Sequence, residues 1–321
     1  MEHIGRLNAL KPLAKGILSW VPGLQAAVYN RDGGGGTVSA KYCYGVWVKH
    51  LTLLWRHGMR AMPAAVVELG PGSSVGTGVA ALLSGAESYV GIDAKRHLRD
   101  AVNWQVFHEL VHLFEMRAAR PHRGWPDFDD CLDARLFPGH ILTEGRLAVL
   151  LAPERVARLA ECLAGASLSS KGGPIRYGTW DDEVAPGAGE VDLIFSHVVL
   201  CHVDDLDALY ARCARMMKPG AWMSHQTEFS SLGTTPEWNG HRRYGDLAWK
   251  VIRGRRPYFI NREPLATHLA LLDRHGFDVV EVQRGKRADG ITRQQLAPRW
   301  SGISDDDLDT YGAYLIARKR G

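Results

Sequence analysis

The sequence predicts an α/β fold with a doubly wound sheet, and three stretches carry that prediction. The short apolar run Ala64–Leu69 breaks into the turn Gly70-Pro71-Gly72-Ser73-Ser74-Val75-Gly76. Beyond it Val79, Ala80, Leu82 and Leu83 recur at helical spacing until Gly85. Strand, glycine turn and helix in that order let backbone N–H groups at the helix start face a polar ligand. A second apolar run, Ser88–Asp93, ends in an acid roughly 20 residues further on, the spacing of a ribose-binding carboxylate. Further along, Val191–Phe195 and Ala221–Gln226 flank a helical pattern with Leu206, Leu209, Tyr210 and Cys213, opened by Asp204-Asp205. Strands alternating with helices point to a parallel sheet covered on both sides.

The chemistry of the turn narrows the ligand. Dinucleotide enzymes favour G-x-G-x-x-G, with the pyrophosphate on the helix N-terminus. Here the glycines read Gly70-x-Gly72-x-x-x-Gly76 and follow Glu68. A carboxylate there would repel a pyrophosphate but pair with an ammonium group. A cofactor with an amino-acid end and a ribose is therefore expected.

These residues resemble the class I S-adenosylmethionine-dependent methyltransferases. Glu68 through Gly76 matches the family's glycine-rich first motif and Asp93 its ribose-binding acid. Val191-Asp192-Leu193-Ile194-Phe195-Ser196-His197 resembles its fourth strand, Met217-Lys218-Pro219-Gly220-Ala221 its turn into the fifth, and Trp180-Asp181 an adenine-contacting pair. The resemblance runs from Ala64 to Gln226 and resumes at Gly276–Val282 and Gly312–Arg318. It implies a seven-stranded Rossmann-like sheet ending in an antiparallel hairpin, with S-adenosylmethionine as cofactor. The implied donor contacts are Glu68, Gly70, Pro71, Gly72, Ser73, Gly76, Asp93, Ala94, Trp180, Asp181 and Ser196. A nucleotide-free domain whose glycines serve only packing is the alternative.

Composition excludes several other classes. The 321 residues are 45% apolar, which suits one large or two modest globular domains. A formal charge of +4, with both signs interspersed, implies no polyanion-binding surface, so nucleic acid is not an expected partner. Cys43, Cys131, Cys162, Cys201 and Cys213 are scattered and include no C-x-x-C pair. Neither a disulfide framework nor a zinc knuckle is implied, and a reducing cytoplasm is the expected home. Gly16–Val28 is interrupted at Trp20-Val21-Pro22-Gly23 and makes no signal peptide. No run reaches the ~20 apolar residues of a membrane span, and the Gly16–Val28 segment is expected to pack on the body, with a membrane-surface role as the alternative.

The organisation expected is an N-terminal helical covering segment, 1–62, and a methyltransferase domain, 63–321, with insertions at about 96–172 and 229–263. Arg31-Asp32-Gly33-Gly34-Gly35-Gly36-Thr37 reads as a hinge by its glycine content. Tyr42, Tyr44, Val46, Trp47, Leu51, Leu54 and Trp55 then recur at amphipathic-helix spacing. Hinge and aromatics together make Tyr42 and Tyr44 candidates for a gate over the donor. The first insertion should hold helices over Asn103–Ala119 and from Pro153, where a proline suits the first turn. It is a candidate substrate cap or dimerisation element.

Acceptor chemistry is expected beyond the fourth strand. Methyl transfer needs alignment of the acceptor atom with the S–CH3 bond, plus a base where the acceptor must lose a proton. His197 and His225 are the candidates for that base, since histidine titrates near neutrality. His241, in Trp238-Asn239-Gly240-His241, and Arg243 are candidate substrate contacts. His202 reads as a core or capping histidine. Some members of the family this chain resembles carry a Glu/His metal cluster after strand four, but here Val198 and Cys201 stand at the matching positions before His202, so the resemblance implies no hard-cation site and no metal is expected. The arginine and aromatic residues of Phe229–Glu263 suit a polar or anionic small molecule by forked hydrogen bonds and stacking, and Arg284–Asp307 is a further candidate wall. The expected activity is methyl transfer to an oxygen or nitrogen of a small polar metabolite such as a sugar, nucleotide-sugar or specialised metabolite. RNA or protein methylation and a catalytically inactive donor-binding subunit are the alternatives.

Overall fold

The computed structural model describes residues 11–21, 35–120, 136–163, 168, 173–256 and 258–321. Arg31–Gly34 of the proposed hinge and residues 121–135 of the first insertion, with Cys131, lie outside them. Seven strands form one sheet: β1 (Ala65–Leu69), β2 (Ser88–Asp93), β3 (Ile175–Thr179), β4 (Val191–His197), β5 (Met217–Glu228), β6 (Phe277–Lys286) and β7 (Thr310–Lys319). Their order is β3-β2-β1-β4-β5-β7-β6. β7 runs antiparallel to β5 and β6, whereas β3, β2, β1, β4 and β5 pair in parallel. The expected sheet and its terminal hairpin are both present. The chain leaves β1 toward β2 on one side and enters β4 on the other, so a crevice opens at the carboxyl ends of these strands.

Both sheet faces are covered, which is why the central strands are nearly continuous apolar runs. α1 (Ala40–Arg56), α2 (Gly76–Leu83) and α3 (Asp100–Glu115) pack on one face, where Trp47, Phe107, Tyr89, Leu193 and Phe195 share a core. After α3 come α4 (Glu144–Leu150) and α5 (Pro153–Cys162), and beyond β4 comes α6 (Leu206–Met216). On the opposite face α6 and α8 (Leu265–Arg274), which follows the short α7 (Asp246–Arg253), bury Tyr210 and Leu272 against Val67, Ile92, Ile194 and Met223. Alternation along the strands assigns the faces: Leu193 and Phe195 look toward α1, Ile194 away from it.

α1 begins where the Ser39 side chain accepts the Tyr42 N–H at 3.4 Å, and its chain exits at Gly58 with φ +114°. It is a structural layer of the domain: Trp47 Nε1 donates to Ser84 Oγ at 2.8 Å and Lys49 Nζ to Gln226 Oε1 at 2.6 Å. The described part of the first insertion packs beside it. Phe107, Leu110, Phe114, Leu147 and Leu159 join the α1–α2 core. α5 starts at Pro153 as the sequence predicts, and Arg155 ties it to the body through the Leu82 carbonyl at 2.7 Å.

The second insertion folds differently. Residues 11–18 form a helix whose Leu13 joins Leu232, Trp249, Ile252, Phe259 and Ile260 in a small apolar cluster separate from the sheet cores. Two buried arginines brace it. Arg262 lies 4.6 Å from the Trp249 ring and Arg242 lies 5.4 Å from Trp300, which has its own cluster with Ala297 and Ile303. The Trp300 loop therefore buttresses this module from behind. None of residues 284–307 reaches the cavity described below, contrary to the expectation of a pocket wall. Among the described residues no helix is long and apolar enough to cross a membrane.

Candidate functional site

A cavity of about 1200 Å³ lies at the carboxyl ends of β1, β2 and β4. Its floor is the glycine turn. Gly70 and Gly72 have φ of +75° and +74°, a conformation that excludes most side chains, and a Cβ on Gly70 would fall 2.4 Å from Val199 Cγ2. Backbone can therefore approach a ligand closely here. The Gly72 N–H donates to Asp93 Oδ2 at 3.1 Å and the Tyr177 hydroxyl donates to the same oxygen at 3.0 Å, holding the carboxylate at the end of β2. Burial raises the Asp93 pKa to about 6 against the pull of those two donors. It is mostly ionised at neutral pH and suited to two vicinal hydroxyls. Trp180, Ile92, Val203 and Leu209 give an apolar wall beside it. Of the expected donor contacts, Gly70, Pro71, Gly72, Asp93, Ala94 and Trp180 thus all line the cavity.

Five other predicted donor contacts do not line it. Glu68 faces α2 from beneath the turn and accepts the Tyr89 hydroxyl at 2.6 Å. Burial, with the nearby Asp93 charge, pushes its carboxyl up to about 8. The side chain is buried beneath the turn and not in the cavity lining, where an exposed partner of an ammonium was expected. Ser73 is buried and its N–H donates to Thr37 Oγ1 at 3.0 Å. Gly76 serves packing: a Cβ would meet Val106 at 2.5 Å and Cys43 at 2.7 Å. Asp181 is exposed outside the cavity, and Ser196 is buried with its Oγ 2.8 Å from His225 Nδ1.

Tyr42, His197 and His202 line another part of the same cavity. Tyr42 meets His197 edge to face, with ring centroids 5.9 Å apart, and His50 backs His197 at 5.7 Å. His50 in turn lies 2.7 Å from Ser224 Oγ and 3.1 Å from the Tyr314 hydroxyl. Burial, helped by the Lys49 charge, drives the His197 pKa well below its usual value, so the imidazole is neutral. The backbone turns sharply just beyond it, with Val198 at φ +57°.

The remaining candidates are corrected by position. His225 follows Ser224, which faces α1, so alternation turns it to the other face of the sheet, away from the cavity. Buried there near His268, its pKa falls to about 3. Tyr44 is two residues from Tyr42, on the far side of α1; its hydroxyl donates to the Ala118 carbonyl at 2.6 Å and its ring packs on Phe114. His241 is buried against Trp249, and burial beside Arg242 and Arg262 keeps it neutral. Arg243 is held by Glu237 in a bidentate pair of 2.8 and 2.9 Å outside the cavity. His202, expected as a core or capping histidine, ends a short 3-10 turn, Leu200–His202, and lines the cavity.

Several lining residues were not foreseen. Thr37, at the end of the glycine run, is stapled to the turn: besides receiving the Ser73 N–H, its carbonyl accepts Ser74 Oγ at 2.5 Å. His97 contributes the first insertion's share, and its Nε2 lies 3.1 Å from the Tyr258 hydroxyl. Lys49 and His50 do not line the cavity but back His197; helical spacing held the signal for them, seven and eight residues after Tyr42 and so on its stripe. Among the described residues no group of three His, Cys, Asp or Glu side chains could hold a metal ion.

Comparison with known proteins bears on this site. A family model described as a methyltransferase domain matches residues 52–282. Among solved structures, an S-adenosylmethionine-dependent methyltransferase from Mesorhizobium loti is similar at 17% identity and TM-score 0.41, over 84% of this chain and 98% of that one. A Haemonchus contortus phosphoethanolamine N-methyltransferase 2 in complex with S-adenosyl-L-methionine is similar at 14% identity and TM-score 0.43, over 93% of this chain and 59% of that one. No curated protein matches the sequence.

Proposed function

The chain belongs to the S-adenosylmethionine-dependent methyltransferases, and from that premise we propose that it transfers a methyl group to an oxygen or nitrogen of a small polar metabolite. The observation that carries this reading is a single cavity with the ribose-type carboxylate and glycine turn at one end and the Tyr42–His197 pair at the other.

S-adenosylmethionine, when bound, supplies an electrophilic methyl group on a sulfonium. The residues present fit it. Asp93 offers a carboxylate fixed by two donors to paired hydroxyls, Gly70 and Gly72 leave room for close backbone approach, and Trp180, Val203 and Leu209 flank a flat base. Beyond the turn, Tyr42 and neutral His197 border the space for the acceptor. Alignment of acceptor and donor contributes up to about 7–11 kcal/mol of barrier lowering, and a general base about 10²–10⁴-fold. Burial makes His197 a weak base, so its part is to accept a hydrogen bond from the acceptor O–H or N–H, orient the lone pair and take the proton as the methyl bond forms. Enclosure by residues 232–236 and 258–260 favours small substrates over polymers.

Calorimetry with S-adenosylmethionine and S-adenosylhomocysteine tests the donor half, and saturable binding of both is expected. Incubation of labelled donor with separated small-molecule, RNA and protein fractions tests the acceptor half. Label confined to the RNA or protein fraction would replace this reading.

A further inference from the structure

Residues 258–261 of the second insertion are fastened on both sides of the glycine turn. At one end the Asn261 N–H donates to the Cys201 carbonyl at 2.8 Å, and its Nδ2 donates to the Leu200 and Val203 carbonyls, each at 2.8 Å, on the turn after β4. At the other end Tyr258 meets the loop after β2. Its hydroxyl lies 3.1 Å from His97 Nε2, the two rings meet edge to face at 5.4 Å, and Lys95 Nζ lies 5.9 Å from the Tyr258 ring. β1 stands between β2 and β4. A chain joining these anchors therefore passes over the carboxyl end of β1, across two strand spacings or about 10 Å, which a short extended segment covers. Tyr258, Phe259 and Ile260 line the same cavity as Gly70 and Gly72.

The Tyr258 end is tied to the donor site. The His97 N–H donates to the Tyr177 hydroxyl at 2.8 Å, and that hydroxyl donates to Asp93 Oδ2 at 3.0 Å. Burial, helped by the Asp93 charge, raises the Tyr258 pKa, so its hydroxyl keeps its proton. Tyr258 has φ +53°, a left-handed conformation that a bulky residue keeps where its surroundings hold it.

We infer that residues 258–261 form a bar across the cavity whose Tyr258–His97 end unlatches to admit and release the donor, and that Tyr177 and His97 are positioning residues tying this latch to Asp93. The inference deepens the proposed function and rests on it for the identity of the donor; the latch itself does not. Ribose hydroxyls on Asp93 would fix the carboxylate, and with it Tyr177 and the His97 backbone on which the latch closes. Closing it also sets Phe259 and Ile260 in the cavity wall, so the donor enters before the acceptor and its product nucleoside leaves last.

Amide hydrogen exchange of the full chain reads the latch, and surface plasmon resonance with S-adenosylhomocysteine reads traffic through it. Tyr258→Phe keeps the ring and loses the hydroxyl. Without nucleoside it should speed exchange in residues 258–260 about tenfold, while slow exchange in β1 and β4 shows that it folds. It should also speed both association and dissociation of S-adenosylhomocysteine by about tenfold, leaving their ratio nearly unchanged, whereas mere damage to the site would speed dissociation alone. His97→Ala should behave alike, and His97→Gln should restore part of the wild-type rates. Tyr177→Phe should loosen residues 258–260 through the His97 backbone. Exchange there unchanged by Tyr258→Phe and Tyr177→Phe, or dissociation from Tyr258→Phe at the wild-type rate, would overturn the inference. Faster exchange in the variants of a chain that binds no nucleoside would uphold the latch while sinking the donor reading.

Discussion

Single carboxyl groups carry the clearest pH dependence. Asp93, raised to about 6, must be ionised to accept ribose hydroxyls, so donor affinity should fall as the pH drops through about 6. Asp93→Asn should weaken S-adenosylmethionine binding by about 10–100-fold, from the loss of charged hydrogen bonds, and should flatten that pH profile in calorimetry. Glu68 acts on stability. Its folded pKa of about 8 stands above its ordinary value of 4.5, so its contribution is fully present below about 4.5 and is lost as the pH rises through 8. Thermal melts from pH 5 to pH 9 should show Glu68→Gln gaining on the wild type as the pH rises, by a few kcal/mol at most. A constant difference would mean that Glu68 is not buried as described. His197→Gln should lower turnover by about 10²–10⁴-fold and leave donor affinity unchanged; turnover at the wild-type level would remove His197 from proton transfer.

Elements explain why some site residues were legible in the sequence and others were not. The glycine turn was, because its conformation admits so few residue types. Gly70→Ala should therefore both strain a backbone at φ +75° and collide with Val199, lowering donor affinity more than tenfold; calorimetry on the folded variant checks this. Which face a side chain takes is set by period and register. Tyr42 and Tyr44 were paired as a gate although about 200° of helix separates them. His197 and His225 were both assigned to proton transfer although Ser196, not His197, lies opposite His225 across β4 and β5. Glu68 was assigned by motif, yet strand alternation turns it under α2, where Tyr89 holds it. The first insertion was a candidate substrate cap or dimerisation element. Its described helices join the α1–α2 core, and among its described residues His97 alone lines the cavity. Apolar spacing shows that a helix buries a face, not against what.

At the scale of the molecule, the order of strands and glycines was readable because each lies within a short window. The outer end of the cavity was not, because its wall joins residues 11–18, 232–236, 256 and 258–260, which lie far apart in sequence and meet through the shared packing of Leu13, Leu232, Trp249 and Ile260. Among the described residues that wall has its own hydrophobic nucleus, with no side chain in common with the layers on either face of the sheet. On the proposed function, substrate choice can thus drift without disturbing the sheet beneath it. A chimaera receiving residues 11–21 and 229–263 from another family member should inherit that member's preferred acceptor while binding S-adenosylhomocysteine as tightly as before. Competition assays on the hybrid would reveal whether the two halves of this protein are interchangeable parts.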